Sequence, residues 1–586
     1  MKFPYGLSDF ATLINEGYFY QDRTDRIPLL EEAGRQLIFI RPRRFGKSLL
    51  LSMLEHYYDV NRADQFATLF GSLAIGQRPT PLHNQYFVMK WDFSLVKAQG
   101  DVKDIEAALH RHLNDCVQDF ALRYQARLTH PIEIHADNAL SSWRSALMVI
   151  SQTPHKLYLL IDEYDNFANE VLMARQEHYE ALLYGEGLLK TVFKAVKAAA
   201  GGQGLDRVFI TGVSPVVLSD MTSGYNVGEN IYLEATFNNL CGFTEAEIAA
   251  VLTRMAEEGG SWFAVEALET MRTFYNGYRF SETAAESLYN PTLTLYFLKC
   301  LAMHGQYPRR MLDENLTMDR NKLVYVSRLP HGESVLVKAL SSDDALVIPQ
   351  LAQRFGVQDM LNVVKDETFM VSLLYYFGVL TWAGLTAFNE EMFKVPNLVA
   401  RSLYVERLQE LWLPDYEDKA CIHQVSKQFC QTGDLQPLGN FIENRYFKVL
   451  SNRDYRWSNE LLVKMAFLTL LFNDRLYMMV SELETDRGYV DLSLIVRPDM
   501  RRFQALDLLL EFKYLGLKEL DLTGEQARAR TREALATLPA VATKLDEAED
   551  QARRYGAALR ERYGLTDLRA FAVVAIGLER VVWREV

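Results

Sequence analysis

Short apolar runs alternate with helical spacings along the first part of the chain. "RQLIFI" is an apolar, β-rich run closing at Ile40, and "SLLLSMLEHYYD" then repeats large apolar side chains at helical intervals. "HKLYLLIDEYD" predicts a buried strand from Leu157 to Ile161, and "RVFITGVSP" a third strand ending at Thr211. "FTEAEIAAVL" predicts a helix with Thr244 as N-cap and Glu247 completing a capping box. Far downstream, "YVDLSLIVRPDMRRFQALDLLLEFKYLGL" predicts two strands, Tyr489 to Val496 and Ala505 to Tyr514, joined by a basic turn. "SNELLVKMAFLTLLF" before them is an amphipathic helix capped by Ser458 or Asn459, and "LDEAEDQARRYGAAL" and "LRAFAVVAIGL" add a helix and a strand.

One apolar stretch, "FMVSLLYYFGVLTWAGLTAF", is uncharged from Phe369 to Phe388 and long enough to span a bilayer. Ser372, Thr381, Thr386 and two glycines break it, so it reads as a buried helix followed by a hairpin, with no membrane partner.

Composition narrows the class. The chain has 586 residues, 49% of them hydrophobic, which predicts a packed protein of roughly three to five domains. A net charge of −13 argues against indiscriminate coating of nucleic acid but leaves room for a local basic groove. Five scattered cysteines without a C-x-x-C pair exclude a zinc ribbon and suit a reducing cytoplasm.

"RPRRFGKS" lies between a strand and a helix, the context a phosphate-binding loop requires. Gly46 curls the backbone, Lys47 serves the β/γ-phosphates and Ser48 supplies a hydroxyl for Mg²⁺, with Arg43 and Arg44 adding cationic charge. Arg41 stands where such loops carry their first glycine and cannot match glycine's freedom at positive φ, so the turn is expected to begin differently. Asp162 is placed to hold Mg²⁺ through water, Glu163 to polarise the attacking water, and Thr211 to reach the γ-phosphate as a sensor. Three strand ends in this order predict a parallel sheet with one nucleotide site at its C-terminal edge.

In the C-terminal part, Asp491 lies on one strand, while Glu511 and Lys513, two apart, project from one face of the next. Two carboxylates converging with a lysine suit metal-assisted phosphodiester cleavage. Asp491 and Glu511 would hold Mg²⁺ or Mn²⁺, Glu460 would add a carboxylate, and Lys513 would orient the water. Gln551 and Tyr555, four apart on one helical face, would line the substrate phosphates. Between the halves, "FYNGYRF" and "LYNPTLTLYFL" read as packing without chemistry.

In order, "FPYGLSDF", "YFYQDRTD", "RPRRFGKSLLLSML", "LLIDEYD", "FITGVSP", "GFTEAEI", "FYNGYRF" and "YNP" resemble the bacterial AAA-ATPase-like family, whose members carry a C-terminal PD-(D/E)XK nuclease-like domain. The resemblance makes the altered loop the family's usual one. Arg23 stands where the family has lysine, a like-charge change of little consequence at a site expected to be exposed. The order helix-Glu, strand-Asp, strand-Glu-x-Lys, helix-Gln-x-x-x-Tyr is similar to the PD-(D/E)XK pattern, with Val490 in place of its proline.

The fold class expected is α/β: a P-loop ATPase sheet over residues 1–235, a helical lid over 236–300, a helical connector with a winged-helix-like hairpin over 301–430, and a restriction-endonuclease-like domain over 431–586. The function expected is an ATP-controlled, Mg²⁺- or Mn²⁺-dependent nuclease acting on DNA, with RNA the other substrate, in defence against foreign nucleic acid. The alternatives are a nucleotide-dependent switch or scaffold, and an ATP-driven remodelling motor. A homo-oligomer and an unidentified activator remain open as partners.

Overall fold

The computed structural model describes all residues except 98–99, 167–186, 216–227, 260–263, 313–319, 341–344, 354, 356–364, 414, 452–458 and 481–489. Ser458 and Tyr489 lie outside the described residues. Two compact units emerge. Unit 1 comprises residues 1–251, 277–303 and 348–391, and unit 2 comprises 252–276, 304–347 and 392–586.

Unit 1 is built on five parallel strands: β1 (Gln36–Ile40), β2 (Tyr86–Asp92), β3 (Lys156–Asp162), β4 (Leu205–Gly212) and β5 (Glu229–Asn230), ordered β2-β3-β4-β1-β5. Leu157 to Ile161 and Val208 to Ile210 are buried on both faces, as expected where helices cover a parallel sheet. Because β1 sits between β4 and β5, the chain leaving it must cross to the far edge at β2. That reversal opens a crevice at the carboxyl end of β1, where α/β sheets take their ligands. Helix α1 (Lys47–Tyr58) starts directly at this end, and α2 (Val102–Tyr124) and α3 (Ala139–Ser151) follow on the way to β3 and β4. Helix α4 (Glu245–Glu257) opens with the expected capping box: Thr244 N–H donates to Glu247 Oε2 at 2.9 Å, and Glu247 N–H donates to Thr244 Oγ1 at 3.3 Å.

Helix α5 (Pro291–His304) begins at the "YNP" turn. A short strand β6 (Leu346–Ile348) precedes helix α6 (Glu367–Tyr376), which is buried from Phe369 to Tyr376 and leads into strands β7 (Thr381–Leu385) and β8 (Glu391–Lys394). The uncharged stretch is thus a core helix and a strand. No helix among the described residues is long and apolar enough to cross a membrane.

In unit 2, strands β9 (Tyr477–Val480), β10 (Leu492–Val496), β11 (Asp507–Leu515), β12 (Leu568–Ile576) and β13 (Arg580–Glu585) form a mixed sheet ordered β13-β12-β11-β10-β9. Only β11 and β12 pair parallel; the other pairs are antiparallel. Helix α7 (Asn459–Leu471) packs on β11, where the Phe467 and Phe512 rings sit 4.9 Å apart. Helix α8 (Pro539–Tyr563) lies across β11 and β12, burying Val541, Leu545, Ala548, Ala552 and Leu559. These spacings of three and four put one apolar stripe against the sheet.

Candidate nucleotide and metal sites

Lys47 and Ser48 open α1, so their backbone N–H groups point out of the positive end of a helix. The loop before them turns left-handed at Arg44 (φ 67°) and Gly46 (φ 89°), and Arg41 is not among the positive-φ residues. The turn therefore begins three residues later than in a loop with a leading glycine. Lys47 Nζ donates back to the carbonyls of Arg41 (3.0 Å) and Pro42 (3.2 Å), spanning the cradle that phosphates would occupy. Ser48 Oγ donates to Asp162 Oδ2 at 2.8 Å. Helix, loop and the end of β3 thus meet through one carboxylate.

Thr211 is fully buried and donates to Asp162 Oδ1 at 2.6 Å. Its hydroxyl thus engages the same carboxylate that Ser48 does. Glu163 adopts φ 51°, a strained conformation for a residue with a side chain, and burial raises its carboxyl above the ordinary range while Lys47 opposes the shift. The donor set at this site, one hydroxyl and two carboxylates beside a lysine, fits a nucleotide with a hard cation.

Arg41 is the part the sequence left unexplained. Its guanidinium is 1% exposed and donates to the carbonyls of Ile40 (2.8 Å), Tyr232 (2.7 Å), Phe237 (2.9 Å) and Asn238 (3.3 Å). It stacks between the rings of Phe39 (4.5 Å) and Phe280 (4.2 Å). Burial pulls its pKa down to about 10, so it stays charged at neutral pH. The position thus ties the loop to the segment after β5.

"FYNGYRF" and "YNP", expected to be packing without chemistry, hold the same loop. Phe45 sits edge-on to Tyr278 (5.0 Å) and Phe280 (5.2 Å), and Thr292 Oγ1 donates to the carbonyl of Arg44 at 2.9 Å. Beside Gly46 an apolar cavity of about 90 Å³ is lined by Tyr20, Gln21, Phe45, Leu49 and Leu240. Arg23 corrects another expectation: its side chain is 12% exposed, and it grips Glu247 with both terminal nitrogens (2.5 and 2.8 Å) and the carbonyl of Gly242 (2.9 Å). A lysine offers no such fork.

Sequence reasoning also missed Asp165. Its carboxylate accepts from Val213 N–H (2.9 Å), Ser214 N–H (2.8 Å) and Ser214 Oγ (2.7 Å), locking the end of β4 to the end of β3. Gly212 is required there because a Cβ would collide with the ring of Tyr164.

In unit 2 the antiparallel register pairs Leu492 with Leu510, and continuing it sets Asp491 opposite Glu511. Asp491 N–H donates to Glu511 Oε1 (3.3 Å), and Asp491 Oδ2 accepts from Phe512 N–H (2.8 Å). Glu511 is 1% exposed; burial first, and the neighbouring Asp491 second, push its pKa well above the ordinary carboxylate range, while Lys513 pulls it back. Two carboxyl groups held together, one of them buried and disfavoured as an anion, fit a divalent cation through oxygen ligands. Lys513 lies on the face of Glu511 as alternation predicts, and its Nζ donates to the Phe512 carbonyl at 3.1 Å.

A second lysine, which sequence reasoning passed over, is already at the site. Lys464 on α7 is 4% exposed and its Nζ lies 3.0 Å from Asp491 Oδ1. One turn before it, Glu460 is half-buried, and among the described residues no third acidic, histidine or cysteine side chain joins the Asp491–Glu511 pair. Tyr555 is buried on α8, and the Gln551 side-chain carbonyl oxygen is buried without a protein partner among the described residues. Arg553 is occupied by Glu549.

Comparison with known proteins finds a match in each of these two parts of the chain. Residues 4–222 match the family model described as predicted AAA-ATPase, and residues 458–585 match that of the PD-(D/E)XK nuclease superfamily. An uncharacterized protein in the vnfD 5' region of Azotobacter chroococcum mcd 1 is 27% identical over 305 residues, covering 51% of this chain and 52% of the relative. The match therefore spans about half the length of that curated relative. Among solved structures, the Aeropyrum pernix ORC2 protein in its ADPNP–ADP complexes aligns at 14% identity and TM-score 0.32, over 69% of this chain and 98% of that one. The Aeropyrum pernix ORC1 protein in complex with DNA aligns at 10% identity and TM-score 0.27, over 66% and 93%. The chain carries an AAA-ATPase-like domain and, C-terminal to it, a domain of the PD-(D/E)XK nuclease superfamily.

Proposed function

We propose that this protein is an ATP-controlled, metal-dependent nuclease that cuts DNA, with a role in defence against foreign nucleic acid. In this reading residues 1–235 bind the nucleotide, 236–300 form its lid, 301–430 connect, and 431–586 cut. The observation that carries it is the Asp491–Glu511 pair, with Glu511 buried and Lys513 on the same face, in a chain that also holds the Ser48–Asp162 pair.

At the nucleotide site Lys47 would exchange its two loop carbonyls for phosphate oxygens, and the apolar cavity beside Gly46 would take the base. Glu163 would orient the attacking water, with Thr211 fixing the carboxylate beside it. At the other site Asp491 and Glu511 would hold a divalent cation, which when bound supplies a water of lowered pKa and charge on the phosphate. Lys513 would orient that water and offset the charge that builds on the phosphate oxygens. Gln551 brings an unsatisfied buried carbonyl that a bound water or hydroxyl would satisfy.

The test is strand scission by the purified chain on plasmid, linear duplex, single-stranded DNA and RNA, with Mg²⁺ or Mn²⁺, with and without ATP. Lys513→Ala and Asp491→Asn are expected to abolish scission with the fold intact, and scission surviving in both overturns the assignment. The Lys464–Asp491 ion pair favours one alternative, a nuclease-like domain that binds nucleic acid without cutting. That reading predicts metal-independent binding and no scission under any condition.

A further inference from the structure

Asp491 and Arg497 stand at opposite ends of β10, roughly 20 Å apart at the rise of an extended strand. Next to Arg497, lined by its neighbours Pro498 and Asp499 among others, lies a polar hollow of about 620 Å³ that plays no part in the chemistry above. Arg497 itself is fully buried. Its guanidinium donates to the carbonyls of Asp474 (3.3 Å), Arg475 (3.2 Å) and Pro308 (3.1 Å), and to the carboxylate of Asp499 at 2.9 and 3.1 Å. One arginine thus binds three loops into a rigid floor: the segment after α5, the turn between α7 and β9, and the loop after β10.

Each of those loops presents an exposed arginine to the hollow: Arg309, Arg475 and Arg502. Among the described residues, no carboxylate within ion-pair distance holds any of the three. Arg502 rests over the exposed ring of Phe503, 5.1 Å from its centroid. Of the acids nearby, Asp499 is neutralised by Arg497, and Asp474, raised by burial, faces Arg497 and Arg475. Glu266 is the remaining acid of the lining. In a chain of net charge −13, this is a local excess of positive charge on a preorganised floor.

We propose that this hollow binds backbone phosphates of nucleic acid and forms a second anchor, about six base pairs from the candidate cleavage site at the spacing of a duplex strand. The inference rests on the nucleic-acid reading above and adds to it a site with no role in scission. Planar guanidinium groups suit bidentate phosphate contacts, and the Phe503 ring gives a base or sugar a surface to lie on.

The experiment measures binding of a labelled 30-base-pair duplex to the full chain carrying Glu511→Gln, over a range of salt concentrations. The same background with Arg309→Ala, Arg475→Ala and Arg502→Ala is expected to bind at least tenfold more weakly near 0.1 M salt. Its slope of log K against log salt should be shallower by about two to three, since each phosphate contact contributes about 0.9. Because the three side chains are exposed, the melting temperature should not move; a triple lysine variant, which keeps the charge, should restore most of the slope. Equal affinity and slope in the alanine variant overturn the proposal, and scission by the unaltered chain would then leave the nuclease reading standing. A parent that binds no duplex overturns both. Binding to phosphatidylserine vesicles that the alanine variant loses, with duplex binding unchanged, reassigns the arginines to a lipid surface and overturns the proposal as well.

Discussion

Replacing Arg41 by glycine restores the leading glycine of an ordinary phosphate-binding loop, and on sequence logic alone it should do no harm. The structure predicts the reverse. Arg41→Gly leaves the carbonyls of Tyr232, Phe237 and Asn238 without this donor in a region closed to water, and removes the cation stacked between Phe39 and Phe280. Hydrogen bonds to a charged donor are worth about 1.5–3 kcal/mol each. The cost of burying the guanidinium, seen in a pKa drawn down to about 10, offsets part of that sum. Removing one side of a buried charged network costs about 3–5 kcal/mol, and glycine's extra freedom in the unfolded chain adds about 0.5–1 kcal/mol. A loss near 4 kcal/mol lowers the melting temperature of a large domain by on the order of 10 °C. Calorimetry of the full chain reads that shift, and a fluorescent ATP analogue reads the loop, which should also bind more weakly. A variant that melts within about 2 °C of the parent and binds nucleotide at least as well would refute the reasoning.

Three further outcomes follow from the same geometry. Lys47→Ala should weaken ATP binding by roughly 10- to 100-fold, the loss of one charge-assisted contact; retained affinity in a calorimetric titration counts against the loop assignment. Gly212→Ala drives a Cβ into the Tyr164 ring and should cost about 1–3 kcal/mol in thermal unfolding, more if the Asp165 lock opens. Lys464→Met removes the ammonium that engages Asp491 and should raise Mn²⁺ affinity by about tenfold in a direct titration, whether or not the variant cuts; weaker binding would show that Lys464 supports the site rather than competes for it.

Much of the scaffold was legible because its signals are local. A strand, a turn with "GKS" and a helix lie within about twenty residues, and Thr244 and Glu247 cap their helix three residues apart. Glu511 and Lys513 share a face because strand alternation is short-range. What could not be read depends on partners distant in sequence. Arg23 reaches Glu247 across 224 positions, and Arg41 reaches Asn238 across 197. Nothing near either residue says that its charge will be buried. Lys464 is hidden differently: within "LLVKMAF" it looks like a solvated position on an apolar helix, and only the packing of α7 on β11 brings it to Asp491. The aromatic turn "FYNGYRF" carried no chemical group, so only its contact with Phe45 reveals what it supports.

The interleaving of the two units along the chain has a consequence in time. A ribosome that has released residue 251 has made most of unit 1, yet its remaining pieces, 277–303 and 348–391, each follow a further piece of unit 2. At about 5–20 residues per second, residues 252–391 take on the order of 10 s to emerge. Through that interval the part of unit 1 already made lacks first "FYNGYRF", which packs on Phe45, and then the strongly apolar α6. A cut at any one point in the chain leaves at least one unit without a piece of itself. Fragments chosen at linear boundaries should therefore aggregate where the intact chain folds.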